Sequence, residues 1–148
     1  MKYPYHMEYL MVGSHQVPVM RLPQEIELVT TFLSCDVQGP LGEIFFLEHI
    51  DLVLQGKESY QEVGGNVCAL EIRQDFTRVV DTLSDEETPC VIETEELRQL
   101  IEIWIEETKE SKAYNASLIP PPQASPVRDT LRKWTSSVRQ LFMRHPIK

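Results

Sequence analysis

The segment from Ser59 to Leu83 constrains the fold most, because three strand-like runs follow one another there with only short connections. The runs are SYQEV at 59–63, NVCALEIRQ at 66–74 and FTRVVDTL at 76–83. In the second run, apolar and polar positions alternate as they do in a half-buried strand. Between the first two runs, Gly64-Gly65 predicts a tight hairpin turn with positive φ. Because strands joined by so few residues pair antiparallel, this segment predicts a β-meander of at least three strands.

Strand-like runs also lie outside the meander. YHMEYLMV at 5–12 and QVPVMRL at 16–22 flank a Gly-Ser break, which predicts an N-terminal hairpin. Pro18 restricts the second of these runs to a sheet edge or a bulge, since proline has no backbone N–H to donate. CVIE at 90–93 predicts one more short strand.

Three segments show the spacing of helices. The first, 23–35, begins with a proline followed by acidic residues, an arrangement that helix N-termini favour. The second, 41–56, allows a strand, but its length and the closing Gly56 favour a helix. The third, 94–112, has Thr94 as its expected N-cap and an apolar face that recurs at helical spacing. Helices packed on an antiparallel meander make an α+β fold.

A proline-rich segment precedes the C-terminus. IPPPQASP at 119–126 is typical of an extended linker. Beyond it, apolar residues again recur at helical spacing, interleaved with arginine and lysine. The sequence therefore predicts an acidic α+β domain at 1–114, a Pro-rich linker at 115–126 and a basic amphipathic helix at 127–145.

The composition supports a packed core and shows no catalytic motif. Apolar residues make up 42% of the 148 residues, which is too many for a chain that is disordered throughout. The four histidines and three cysteines lack metal-ligand spacing, and there is no Walker loop, GxGxxG or GxSxG. We therefore expect no enzyme, catalytic residue, metal or cofactor, and we expect the cysteines to be reduced core residues.

Two further features bear on location. No apolar run approaches the roughly 18 residues that a membrane-spanning helix needs. The N-terminal MKYPYHMEYLMVG contains an acidic residue and three tyrosines, which is a poor apolar core for a signal peptide. The sequence thus predicts a cytoplasmic protein.

Charge is distributed unevenly along the chain. The net charge is -9, but residues 1–126 hold 22 acidic and 8 basic side chains, a net of -14, whereas residues 127–148 hold six basic and one acidic. An acidic body disfavours nucleic acid, whose phosphates need basic groups. A solvated surface is the simple interpretation of the acidic residues, and the alternative is a patch that steers a basic protein partner into place. The predicted partner-binding residues are Asp85, Glu86, Glu87, Glu102, Glu106 and Glu110.

One stretch carries a family resemblance. IDLVLQGKESYQEVGGNVCALEIRQDFTRVVD, from Ile50 to Asp81, combines a helix ending in LxG, the pattern GNxCxLEI and a D-x-T-x-V strand. CVIETEELRQLIEIW extends the pattern into an acidic helix that contains tryptophan. Over about residues 24–108 the chain resembles small bacterial immunity proteins of polymorphic or contact-dependent toxin systems. The resemblance implies a shared fold and a protein partner, many of the toxins being nucleases.

Several interpretations of the basic helix stay open. It packs on this chain or on a second copy as a homodimer, docks on another protein, or lies on an anionic membrane, which the net charge disfavours. Its docking residues are predicted to be Leu131, Trp134, Val138, Leu141 and Phe142. The leading hypothesis is a non-catalytic protein-binding module, an immunity-like inhibitor that presents an acidic face to a basic partner such as a toxin domain. The alternative is a regulatory or scaffold protein that self-associates through the C-terminal helix.

Overall fold

The computed structural model describes residues 1–85 and 90–118, and the compact unit treated below is Met1–Ala116. The elements in chain order are β1 (His6–Val12), β2 (His15–Arg21), a 3₁₀ turn (Gln24–Ile26), α1 (Glu27–Cys35), α2 (Gly39–Leu54), β3 (Tyr60–Gly64), β4 (Cys68–Arg73), β5 (Phe76–Asp81), β6 (Cys90–Glu93), α3 (Thr94–Glu107) and α4 (Lys109–Ser117). The α+β prediction is confirmed. Residues 115–117 of the predicted linker belong to α4, whereas its residues 119–126 and the predicted basic helix lie outside the described residues.

The meander forms a four-stranded antiparallel sheet in the order β3-β4-β5-β6. Leu70 lies at its centre, opposite Val63 on one side and Val79 on the other, and all three are buried. Helices α1, α2 and α3 pack on this sheet and contribute apolar side chains to the same core. The residues of the sheet that alternate with the core positions are half-buried, as Glu71 is, or exposed, as Arg73 and Val91 are. The sheet therefore has one face covered by helices and one face directed outward.

The segment 41–56 is helical, as its length predicted. Pro40 lies in the first turn of α2, where its missing N–H costs nothing. Gly56 follows the C-cap with φ +73°, and its N–H donates to the Val53 carbonyl at 3.0 Å. This left-handed residue ends the helix.

The predicted conformation of Gly64-Gly65 is wrong. In the described residues, the glycines with positive φ are Gly13, Gly39 and Gly56. A Cβ atom on Gly65 would lie 2.5 Å from Oδ1 of Asp36, so glycine is required at position 65 for space rather than for a left-handed turn.

Asp36 occupies that space because it organises the β3–β4 connection. Its side chain is buried, and its carboxylate accepts the backbone N–H groups of Asn66, Val67 and Cys68, the last two at 2.9 Å. Charge-assisted bonds to three successive amides satisfy donors that the turn itself leaves unpaired. The end of α1 is thereby attached to the sheet.

Thr94 is not the N-cap of α3. The capping position is Glu93, which makes no side-chain capping bond. Thr94 is buried, and its hydroxyl is hydrogen-bonded to the Thr77 hydroxyl at 2.9 Å and to the Arg73 carbonyl. The threonine therefore fixes the helix start to strands β4 and β5 instead of capping the helix.

The predicted helix 94–112 is interrupted at Thr108. Its buried hydroxyl donates to the Trp104 carbonyl at 2.7 Å, a bond one turn back that is typical of bent helices. Helix α4 begins with the next residue and is held to the N-terminal hairpin through Gln16 of β2. Asn115 accepts the Gln16 N–H at 2.8 Å and donates to the Gln16 carbonyl at 2.7 Å.

Candidate functional site

Helices α2 and α3 concentrate the negative charge of the domain. Together they carry eight carboxylates and a single arginine, so they account for -7 of the -14 in residues 1–126. Five of these side chains share the exposed side of the two helices, and we call them the acidic surface: Glu48, Asp51, Glu95, Glu102 and Glu106. The other three are engaged elsewhere, Glu43 with Lys112 and Glu96 and Glu107 with the N-terminal segment. Glu95, in the first turn of α3, also interacts favourably with the helix dipole.

Arg98 joins the two helices at the middle of the acidic surface. Its Nε lies 2.6 Å from Oδ1 of Asp51 on α2, and its Nη1 lies 2.7 Å from Oε1 of Glu102 on α3. The hydrogen bond to Asp51 raises the pKa of the guanidinium, which stays cationic. Arg98 thus orients the carboxylates of Asp51 and Glu102 and offsets part of their negative charge.

The structure places the predicted binding residues on different elements. Glu102 and Glu106 lie one turn apart and exposed on α3, and Glu106 forms an ion pair with Lys109 at 2.6 Å. Glu110 follows the interruption and belongs to α4. Asp85 is exposed after β5, while Glu86 and Glu87 lie outside the described residues. The repulsion expected between neighbouring glutamates is thus relieved by nearby cations, and the binding role of the set stays a prediction.

An exposed apolar face on α2 was missed by the sequence reasoning. Leu41, Ile44 and Phe45 recur at i, i+3 and i+4, and they expose 84%, 53% and 42% of their surface. On the opposite side of α2, Phe46 and Ile50 enter the core. The available signal was a helix that is apolar on nearly every side, since such a helix must either be buried all round or present apolar surface. We refer to these three exposed residues as the α2 apolar face.

Among the described residues, no side chains form a recognisable catalytic or metal-binding arrangement. No three His, Cys, Asp or Glu side chains within them converge as metal ligands. His49 is engaged by Gln61, with 3.0 Å between Nδ1 and Oε1. Burial raises the pKa of the Cys68 thiol to about 12 and also raises that of Cys90, so neither thiol forms a thiolate near neutral pH.

A cleft of about 250 Å³ lies between β2 and α4, beside Trp104. The Ser34 hydroxyl borders the cleft and is the one buried side-chain polar atom in the described ranges without a hydrogen-bond partner. No histidine or carboxylate lines the cleft to activate this hydroxyl. The cleft therefore lacks the nucleophile–base arrangement of a hydrolase.

Among residues 1–85 and 90–118, no helix combines the length and apolar character that crossing a bilayer requires.

Comparison with known proteins identifies one informative relative. No family model matches the chain, and no solved structure matches it. A protein of Bacillus cereus (strain ATCC 14579) named "Immunity protein" is 50% identical over 114 residues, which is 76% of this chain and 93% of that protein. The match confirms the family resemblance of the strand and helix patterns described above. Because half of the aligned residues are identical across nearly the whole length of this relative, the chain belongs to the same family, the immunity proteins.

Proposed function

We propose that this protein is a non-catalytic inhibitor that binds a basic toxic protein through the acidic surface of α2 and α3. Its 50% identity to an immunity protein is the observation that carries the proposal. An immunity protein is expected to act on a protein partner, and the negative charge of this chain supports a basic one. Of the predicted contact residues, Glu102 and Glu106 belong to the acidic surface, and Glu110 and Asp85 to Glu87 are further candidates outside it.

Electrostatic attraction supports the choice of a basic partner. A net charge of -14 over residues 1–126 produces a field that extends about one Debye length, roughly 8–10 Å at physiological salt. Such fields raise association rates by about 10- to 1,000-fold. Because Arg98 and Lys109 already offset part of the charge at Glu102 and Glu106, the surface acts mainly through its summed field, and individual ion pairs contribute less.

The proposal is tested by capture on the full-length chain at low salt, followed by elution at high salt and identification of the eluted protein. We expect a basic protein that is toxic when expressed alone and harmless when this chain is co-expressed. The double change Glu102→Lys and Glu106→Lys should then reduce the association rate about tenfold at low salt and flatten its salt dependence.

A matched control reverses the same number of charges on other elements. Glu25→Lys and Glu62→Lys alter exposed residues before α1 and on β3, and should leave the association rate within about twofold. Circular dichroism checks that every variant is folded. An unchanged salt dependence in the α3 variant, or an equal loss in the control, would contradict the assignment of the acidic surface.

The alternative function, self-association through the basic helix 127–145, concerns residues outside the described part of the chain. Recovery of this chain alone from the capture experiment, with no second protein, would favour it over toxin inhibition.

A further inference from the structure

The α2 apolar face is a continuous exposed patch on a single helix. Single exposed apolar residues are common on protein surfaces, but here three lie side by side across the first two turns of one helix. No described residue covers Leu41, which retains 84% of its exposure. Leaving such a surface in water has no benefit for folding, which makes it a candidate for burial against a partner.

Phe45 is held in place before any partner arrives. Its ring packs edge-on against Phe46 of the core, with centroids 5.2 Å apart, and against His49, with centroids 4.7 Å apart. His49 is itself positioned by Gln61 of β3. A rigid aromatic group loses little conformational entropy on binding, which is typical of the residues that dominate interface energies.

Carboxylates flank the face on the side of α3. Glu48 is exposed one turn beyond Ile44, and Asp51, bonded to Arg98, occupies the following turn. Glu102 continues the acidic side chains on α3. An apolar centre with a charged rim is the arrangement of a protein–protein interface, and here the rim is net negative, because the three carboxylates outnumber Arg98.

We infer that the α2 apolar face is the centre of the inhibitor interface, and that it receives an apolar or aromatic side chain surrounded by lysine or arginine on the basic partner. The inference rests on the proposed function and adds where the binding energy lies. The acidic rim sets orientation and association rate, whereas the apolar centre sets the lifetime of the complex. A second copy of this chain fits less well, because it would bring two acidic rims together.

The chemistry can be tested on the full-length chain with a defined probe. A short synthetic amphipathic peptide, with Trp and Leu on one face and Lys on the other, is titrated into ¹⁵N-labelled protein. We expect amide shifts centred on Leu41, Ile44, Phe45 and Glu48. Replacing the Trp and Leu of the peptide by Ser, or its Lys by Glu, should each weaken binding about tenfold or more.

Variants of the protein provide the matched comparison. Leu41→Gln and Ile44→Gln keep helix-compatible side chains and should each weaken peptide binding about tenfold. Met11→Gln, at a site on β1 that is about as exposed as Ile44, should leave binding unchanged. Shifts centred on the hairpin, or unaltered binding by the α2 variants, overturn the inference. Binding that appears only when Trp134→Ser and Leu141→Ser are introduced shows that the chain's own C-terminal segment takes the face, and also overturns it.

The toxin identified by capture separates this inference from the proposed function. Faster dissociation of that toxin from Ile44→Gln, with an association rate near that of the natural chain, supports the inference. If the toxin dissociates equally fast from Ile44→Gln and from the natural chain, the inference is overturned while the inhibitor function stands. Recovery of no basic partner overturns both.

Discussion

The contact between Asp36 and Gly65 allows a prediction in which two substitutions depend on each other. Gly65→Ala would place a Cβ atom 2.5 Å from Oδ1, 2.6 Å from Cγ and 2.9 Å from Cβ of Asp36. The carboxylate must then move away from the three backbone amides that it accepts. Crowding in a packed region and weakened charge-assisted bonds together cost about 2–4 kcal/mol in the free energy of unfolding.

Asp36→Ala removes the carboxylate, which is both the nearest part of the obstacle and the hydrogen-bond acceptor, but it keeps the Cβ atom that would lie 2.9 Å from the methyl group introduced by Gly65→Ala. The Cys68 N–H is buried and loses its partner, and those of Asn66 and Val67 lose theirs at partly exposed positions. We expect a cost of about 3 kcal/mol, set mainly by the buried amide. In this background Gly65→Ala still meets the remaining Cβ atom but no carboxylate, so it should cost about 1–2 kcal/mol, which gives a coupling energy of about 1–2 kcal/mol between the two sites.

Urea unfolding of the four proteins measures the cycle, with a constant m value as the check that unfolding remains comparable. Gly64→Ala is the matched control, because a Cβ atom there meets nothing within 4 Å and the φ angle is not positive. That change should stay within about 0.5 kcal/mol of the natural chain. Additive costs for Asp36→Ala and Gly65→Ala would refute the steric account of the glycine.

Two further predictions follow from contacts that join distant parts of the chain. Hydrogen bonds from the Lys2 ammonium and the Tyr3 hydroxyl lower the pKa of Glu93 to about 2 from an ordinary 4.5, so they stabilise the fold above pH 4.5 and this contribution is lost as the pH falls toward 2. Glu93→Gln should therefore lower stability at neutral pH and flatten its decline across that range in urea unfolding, and an unaltered pH profile would contradict this. Asn115→Ala removes both bonds to Gln16, which should cost about 1–2 kcal/mol and accelerate hydrogen exchange of the Gln16 amide. Unchanged exchange would show that α4 is attached in another way.

The negative charge of the proposed binding surface could be predicted from the sequence, but the spatial arrangement of its side chains could not. The acidic residues of α3 are visible in the sequence, and the periodicity of the helix places Glu102 and Glu106 on its exposed side. The contacts that join this helix to other elements are not visible in the sequence. Asp51 lies 47 residues from Arg98, and only the packing of α2 on α3 brings the two together.

In the fold, too, features set within one element were predictable, whereas features set by tertiary contacts were not. Alternation in β4 predicted its buried face, and the length of α2 predicted a helix, because both signals are contained within one element. Thr94 shows where such signals fail. It has the right residue type and position for an N-cap, but the Thr77 hydroxyl and the Arg73 carbonyl offer its side chain a buried alternative. Local preference yields when a tertiary contact satisfies the same hydroxyl group.

The sequence by itself determined the strands, the helices, the α+β class and the excess of negative charge, since each depends on residue type and spacing along the chain. Only the tertiary structure decided that Gly65 makes room for Asp36 and that Thr108 interrupts the last helix. It also decided which side of α2 enters the core and which side presents Leu41, Ile44 and Phe45 to the outside. The physical reason is that hydrophobic patterns record which side chains are apolar, whereas burial depends on which surfaces the rest of the chain covers.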